Sequence, residues 1–293
     1  MIWHKRFFQY SVLLFLALIW GSSFILMKIG LKSFSSSQAA SIRIFLASLV
    51  LLPYSIKHVK EIKRCDVKYL LVAGLCGSFI PAFLFMKAET RIESALAGML
   101  NSLTPVFTLI IGIILFKNKT GWLQMIGILL GLAGALGLIS SGKNISFGNV
   151  NSYAFFIGAA TICYAININT VKTYLTHLKG IQITSLSFLF IGPASLLYLL
   201  TTDISSVIHS ENWIIHFSAL VILGILGTAV AMLIMNSLIR YTSAVFASSV
   251  TYIIPIFAII WGLLDHEMVT LLHIGFMLIV LIGVYLINKK VKM

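Results

Sequence analysis

The sequence predicts an all-α integral membrane protein with ten transmembrane helices, built as two inverted five-helix repeats. Three observations predict it. The chain of 293 residues is 59% hydrophobic and only 10% charged, with a mean hydropathy of +1.03, whereas a soluble domain carries about 25% charged residues. Its apolar residues fall in runs of about 18–25, the length a helix needs to cross a bilayer core. The stretch Ala88–Ile139 is also written a second time, as Leu238–Ile287. A β-barrel would instead show short alternating segments.

The repeat rests on its glycines and its proline. Pro105 aligns with Pro255 at an offset of 150, and Gly74 then meets Gly224, Gly77 meets Gly227, Ala97 meets Ala247, Phe107 meets Phe257 and Gly112 meets Gly262. Past the next turn the offset is 148, where Ile126-Gly127 meets Ile274-Gly275; nearer the start it is 144, where Gln38 meets Gln182. Slips at loops, with agreement inside apolar runs, are the trace of a duplicated membrane unit.

Taken in order, the spans are expected at about 8–30, 38–56, 68–87, 93–116, 122–139, 151–171, 181–201, 213–239, 242–264 and 269–287. The start, Met1-Ile2-Trp3-His4-Lys5-Arg6, resembles a signal peptide. The apolar run after it continues to Ile29 without an Ala-x-Ala site, so it reads as a retained helix. That helix carries Trp20-Gly21-Ser22-Ser23-Phe24. Two readings fit: small residues that let helices approach, or Trp20 as an aromatic wall for a substrate. The second span carries Arg43, the one formal charge well inside a span. Such an ion by default faces the interior. It lies five residues after Gln38, about 7.5 Å along a helix, so its stem could equally snorkel to the interface. Its repeat counterpart is Ser187. Lys57–Lys68 is the one strongly charged connection.

All five prolines, Pro53, Pro81, Pro105, Pro193 and Pro255, lie inside spans, where each removes a helix hydrogen bond and favours a kink or break. Pro105 and Pro255 stand near mid-span in the fourth and ninth. Asn101 and Thr104 precede the first, and Thr251 and Tyr252 the second; these groups either face a cavity or bond local backbone. Gly127-x-x-x-Gly131, with Gly134 and Gly137, gives the fifth span a small-residue face. That face suits internal packing or a dimer contact, which leaves monomer and homodimer both open. In the sixth span Tyr164 and Asn167 share a face, with Asn169 beyond. Asn236 is the polar candidate of the eighth. His216 and His273 stand singly near span ends and read as interfacial.

Residues 1–139 form the first repeat, 140–150 a linker and 151–293 the second repeat. The formal charge of +13 comes from lysines and arginines placed between apolar runs. With a cytoplasmic N-terminus, fifteen of them fall on cytoplasmic segments and five, Lys28, Lys32, Lys87, Arg91 and Lys143, on outer ones. The positive-inside rule therefore predicts both termini in the cytoplasm. The basic residues form no separate domain, so nucleic acid is not an expected partner. Five spans is an odd number, so the second unit enters the membrane from the opposite side. Such halves enclose a midplane cavity that opens to either side in turn. This predicts a secondary transporter working by alternating access, with a small-molecule substrate and the lipid bilayer as its partners. The cavity is expected to be lined from the first, second, fourth, sixth, eighth and ninth spans. Trp20, Tyr164 and Tyr252 would shape it, Asn101, Asn167 and Asn236 would hydrogen-bond substrate, and Arg43 would attract an anionic group.

Other classes find little support. Cys65, Cys76 and Cys163 follow no metal-ligand spacing and give no disulfide framework. None of the eight carboxylates lies at mid-span; Glu93, at the outer start of the fourth, comes closest, so proton coupling has no assigned acid. Hydrolase, zinc-protease and P-loop motifs are missing, so neither an enzyme nor a cofactor or metal is expected. Asn118-Lys119-Thr120 and Asn144-Ile145-Ser146 match the glycosylation pattern, as short motifs do by chance.

Over nearly its whole length the chain resembles the drug/metabolite transporter superfamily, in its ten-helix EamA-type branch. The marks are Trp20-Gly21-Ser22-Ser23-Phe24, Arg43-Ile44-Phe45-Leu46-Ala47, Leu103-Thr104-Pro105-Val106-Phe107 and Ile253-Ile254-Pro255-Ile256-Phe257, with Ile126-Gly127 and Ile274-Gly275. The family shows a glutamate a dozen residues after the repeat proline; Glu267 stands there, and Lys117 takes the corresponding place in the first copy. The resemblance implies export of amino acids, other metabolites or drugs across the bacterial inner membrane. A nucleotide-sugar or nucleoside carrier is the nearest alternative, and a non-transporting membrane enzyme or assembly subunit the next.

Overall fold

Where no water can serve backbone N–H and C=O groups, a chain must satisfy them within itself, as helices or a closed barrel. This chain takes the first course. Its computed structural model describes residues 2–118, 120–140 and 152–288. Lys119, Lys143, the Asn144-Ile145-Ser146 match, the linker beyond Ser140 and Lys289, Lys290 and Lys292 lie outside the described residues. Among the described residues there is no strand. Nine helices among the described residues are long and apolar enough to cross a membrane: Arg6–Gly30, Ser36–Glu61, Arg64–Ala88, Ser94–Ile114, Trp122–Ser140, Ala154–Tyr174, Gly180–Thr201, Trp213–Tyr241 and Ala244–Leu264. A tenth apolar helix, Leu271–Asn288, completes the set of predicted spans. Large apolar side chains such as Leu129, Leu136, Leu200 and Tyr285 are exposed on the outside, where lipid tails are as apolar as they are.

The halves interlock by a repeated rule. The second span packs on the seventh and the fifth on the tenth. The first packs on the eighth and ninth, as the sixth packs on the third and fourth. Contacts between halves thus recur when the halves are exchanged, and the shared residues explain why. A Cβ at Gly74 would fall 2.9 Å from the Ser187 carbonyl oxygen, and one at Gly224 3.0 Å from that of Arg43. Ser187 and Arg43 are themselves repeat counterparts, so each glycine lets a third or eighth span touch the backbone of its neighbour. Gln38 and Gln182 also do one job twice. Each side chain accepts the N–H that opens its own helix, from Ser35 at 3.0 Å and from Lys179 at 2.7 Å. Each then donates across to the other half, to the Asp203 carbonyl and to the Glu61 carboxylate.

Of the fifth span's small residues, Gly127 faces the Gly283 carbonyl of the tenth span, Gly134 faces Val280, Gly137 faces Phe276 and Gly131 faces Val106. Their face is internal packing.

Four spans depart from regular helix in matched pairs. The third and eighth contain π-helical segments, Leu75–Phe79 and Ile225–Val230, each directly after its matched glycine. The fourth and ninth break before their prolines, into Ser94–Asn101 and Thr104–Ile114, and into Ala244–Ser248 and Ile254–Leu264. Pro105 has no N–H for the Asn101 carbonyl four residues back. The Thr104 hydroxyl donates to that oxygen instead, at 2.8 Å. Pro255 likewise strands the Thr251 carbonyl, and Ser102 of the other half donates to it at 3.0 Å. Both breaks are therefore closed by hydroxyls, one of them across the interface between the halves.

The structure shifts one pairing between the repeats. After their breaks the fourth and ninth spans end in matched left-handed residues, Lys117 (φ 54°) and His266 (φ 59°). The next N–H then returns to the matched glycine, Asn118 to Gly112 at 3.0 Å and Glu267 to Gly262 at 2.8 Å. Asn118, and not Lys117, occupies the place of Glu267.

Candidate functional site

The π segments and the breaks meet around one small cavity of about 80 Å³. A π turn carries one extra residue and re-aims the side chains beyond it. In the eighth span this turns Thr228 inward, and in the third it presents Gly77 and Ser78. The carbonyl of Gly227 is left to accept the Trp20 indole N–H at 2.9 Å. Trp20 is thus fixed as part of the wall by a bond that the opposing bulge makes available.

Five of the seven proposed ligands come together here: Trp20, Arg43, Asn101, Tyr164 and Asn167 all line the cavity. Arg43 is 8% exposed. It does not snorkel: its Nε donates to the Thr228 hydroxyl at 2.6 Å, and one terminal nitrogen lies 3.8 Å from the Met27 sulfur. No carboxylate lies within ion-pair distance of it among the described residues. Asn167 is 3% exposed, and its Oδ1 has no hydrogen-bond partner; the same holds for the Ser78 hydroxyl. A Cβ at Gly77 would fall 2.7 Å from the Asn167 amide, so that glycine makes the room the amide occupies. Tyr164 stacks against Phe85, and Phe24 meets Phe85 edge-on. Buried polar atoms normally find partners. Three unsatisfied or unpaired groups therefore face one apolar-walled space.

The other two are placed elsewhere. Asn236 donates to the Thr184 hydroxyl at 2.9 Å and joins the eighth span to the seventh; Met232 and Met235 line the cavity in its stead. The Tyr252 hydroxyl donates to the Val284 carbonyl at 3.3 Å, on the tenth span. Asn169 donates to the carbonyls of Thr108 and Ala165 and serves as a cross-link. The third span, absent from the expected lining, contributes Gly77, Ser78 and Phe85. Its signal was present in the sequence as the repeated glycines. Pro105 and Pro255 act as expected, by breaking their helices.

At one end of the cavity charges gather. Lys28, ending the first span, pairs with Glu267 at 2.7 Å and with Asp265 at 2.5 Å. Glu267 also accepts the N–H groups of Ser94 and Ala95, at 3.0 and 2.9 Å, at the start of the fourth span. The family glutamate is thus a clasp joining three segments. At the equivalent place in the other half Lys172, counterpart of Lys28, reaches only the carbonyls of Ile239 and Arg240. Near the clasp, one residue past the third span, Glu89 is 7% exposed, and neither carboxylate oxygen has a hydrogen-bond partner. Burial pushes its carboxyl well above the usual range; the Glu267 charge adds to this, and Arg43 and Lys28 oppose it.

A multi-pass helical bundle enclosing an apolar-walled cavity with a few buried polar groups belongs, as a class, with membrane transporters of small molecules. The profile of the EamA-like transporter family matches residues 8–140 and again 151–289. The chain belongs to that family, within the drug/metabolite transporter superfamily. It is 26% identical over 262 residues to the Escherichia coli protein described as "Uncharacterized inner membrane transporter YedA", covering 86% of this chain and 81% of that one. It is 26% identical over 283 residues to an "Uncharacterized transporter" of Archaeoglobus fulgidus, covering 96% and 99%. It is 20% identical over 242 residues to a "Probable terminal-alkyne amino-acid exporter" of Streptantibioticus cattleyicolor, covering 82% and 80%. A solved structure with 13% identity superposes with a TM-score of 0.69 over 97% of each chain, which shows the shared fold.

Proposed function

We propose that this transporter exports small carboxylate-bearing metabolites, amino acids foremost, across the inner membrane by alternating access. The observation that carries this reading is Arg43: a buried guanidinium, facing the cavity, with no carboxylate among the described residues in ion-pair distance. A bound carboxylate would supply that partner with paired N–H donors. Asn101, Asn167, Ser78 and Thr228 would hold the ligand's amine and flanking polar groups, and Trp20, Phe24, Phe85 and Tyr164 its apolar part. The name of the Streptantibioticus relative agrees with this class of substrate. Residues 1–139 and 151–293 form the two repeats around a linker at 140–150, inverted relative to each other. Both termini face the cytoplasm, which puts the Lys28 clasp at the outer end. The protein's role is to carry its substrate unchanged, without enzymatic conversion.

The test is thermal unfolding of the detergent-purified protein against a panel of amino acids, nucleosides, nucleotide sugars and organic cations. A ligand at 100 times its dissociation constant adds about 2.7 kcal/mol of stability. Stabilisation by amino acids, lost in Arg43→Ala with the fold retained, is the expected result. Stabilisation by organic cations or nucleosides alone would overturn the substrate class.

A further inference from the structure

The sequence offers no acid at mid-span, yet the fold buries one just past the end of the third span. Glu89 follows the third span in a stretch, Lys87–Glu93, that reads as a charged surface turn. Lys87 and Arg91 are exposed there as expected. Glu89 instead turns inward to 7% exposure with both oxygens unbonded. The groups that act on it come from three other segments: Arg43 of the second span, Lys28 of the first, and Glu267 before the tenth. Neither cation lies within ion-pair distance of it. A carboxylate held out of water without donors is costly, and the usual escape is to bind a proton. Glu89 follows by one turn Phe85, which lines the cavity, and it feels the charges of Lys28 and Glu267, which are joined in the clasp.

We infer that Glu89 is the proton-carrying group of this transporter and that export is driven by proton antiport. The inference rests on the transport reading above and adds its energy source. When the clasp end opens, water reaches the Glu89 carboxylate and one proton binds to it, giving the neutral acid. Closure buries that acid. Opening toward the cytoplasm returns the proton to water and regenerates the carboxylate. One proton enters for each cycle, and no bond other than O–H forms or breaks. The paired Lys28 is left to hold Glu267, so the clasp and the proton site are coupled through their shared charges.

Two measurements test this. The first needs no substrate: infrared difference spectra of the detergent-purified protein during a pH titration. The wild type is expected to show the carbonyl stretch of a buried protonated carboxyl, lost as the pH rises. Glu89→Gln should lack that band, and Glu89→Asp, which keeps the carboxyl, should retain one. A wild type without the band, or a Glu89→Gln variant that keeps it, overturns the inference. The second uses liposomes loaded with a labelled mixture of the common amino acids. Glu89→Gln should still exchange label against unlabelled amino acids at equal pH, but should lose all response to a pH gradient that drives net export in the wild type. A Glu89→Gln variant that follows the gradient as the wild type does also overturns the inference. If the wild type exchanges none of the mixture, the amino-acid reading falls, while the infrared result still decides the proton site.

Discussion

At the scale of single residues, polarity inside an apolar run led to part of the cavity wall and missed the rest. Arg43, Asn101, Tyr164 and Asn167 stand out in the sequence, and all line the cavity. Asn236 stands out equally, but the cavity face of its helix carries Met232 and Met235, and one residue is about 100° of turn. Ser78 and Thr228 were invisible because serines and threonines in helices commonly bond their own backbone. Glu89 was missed because its burial is made by segments remote in sequence. Arg43→Ala is expected to weaken carboxylate binding by about 1.5–3 kcal/mol, the worth of a charge-assisted hydrogen bond, as measured by titration calorimetry. Glu89 also sets a pH dependence. Its proton is held more tightly in the folded protein than in the unfolded chain. The folded state therefore keeps the proton over a pH range in which the unfolded chain has released it, and stability falls as the pH rises toward the folded-state value. The melting temperature should decline over that window in the wild type. Glu89→Gln should be flatter; an unchanged slope would remove Glu89 as the cause.

At the scale of elements, the sequence announced the breaks but not how they are closed. A proline in a span states that one carbonyl loses its donor. It does not state that Ser102, from the opposite half, supplies a replacement to Thr251. This makes a double-mutant cycle informative. Ser102→Ala alone should cost about 1–3 kcal/mol, the penalty for an orphaned buried carbonyl. In a Pro255→Ala background, where residue 255 regains an N–H, the same change should cost much less. Additive losses in melting temperature would show that the hydroxyl serves some other purpose. The paired π segments were foreshadowed only by Gly74, Gly77, Gly224 and Gly227. One of these glycines tests the packing itself. Gly224→Leu drives side-chain atoms against the Arg43 backbone and should cost about 1–3 kcal/mol through overpacking. Substitution at Gly158, where a Cβ meets nothing within 4 Å, should be mild.

At the scale of the whole molecule, the two ends of the bundle are fastened unequally. One end has Lys28, Asp265 and Glu267 joined to the start of the fourth span. The other has Lys172 on backbone carbonyls and Asn118 in place of the glutamate. Loss of the clasp should therefore favour the conformation open at the Lys28 end. Glu267→Ala should speed hydrogen exchange of the Ser94 and Ala95 amides about 5-fold or more, the equivalent of losing a helix cap worth ~1 kcal/mol. Asn118→Ala should leave the Ser94 and Ala95 amides as they are. Ten helices and their repeat were legible because hydropathy and glycine spacing are local patterns. The clasp was not, because its members are far apart in sequence and Glu267 alone says nothing of what it holds.

The mutual grip of the halves has a consequence for ancestry. The second and fifth spans of each half find their packing partners in the other half, and Gln38 and Gln182 each fasten the opposite repeat. A lone five-span precursor would have left those faces bare, so it would have needed a second copy of itself. In such a pair, any residue changes on both sides at once. Joining the copies into one chain lifted that constraint: Arg43 could appear opposite Ser187, and Glu267 opposite Asn118. The unequal ends and the one-sided charge of the cavity are differences that a pair of identical chains cannot hold.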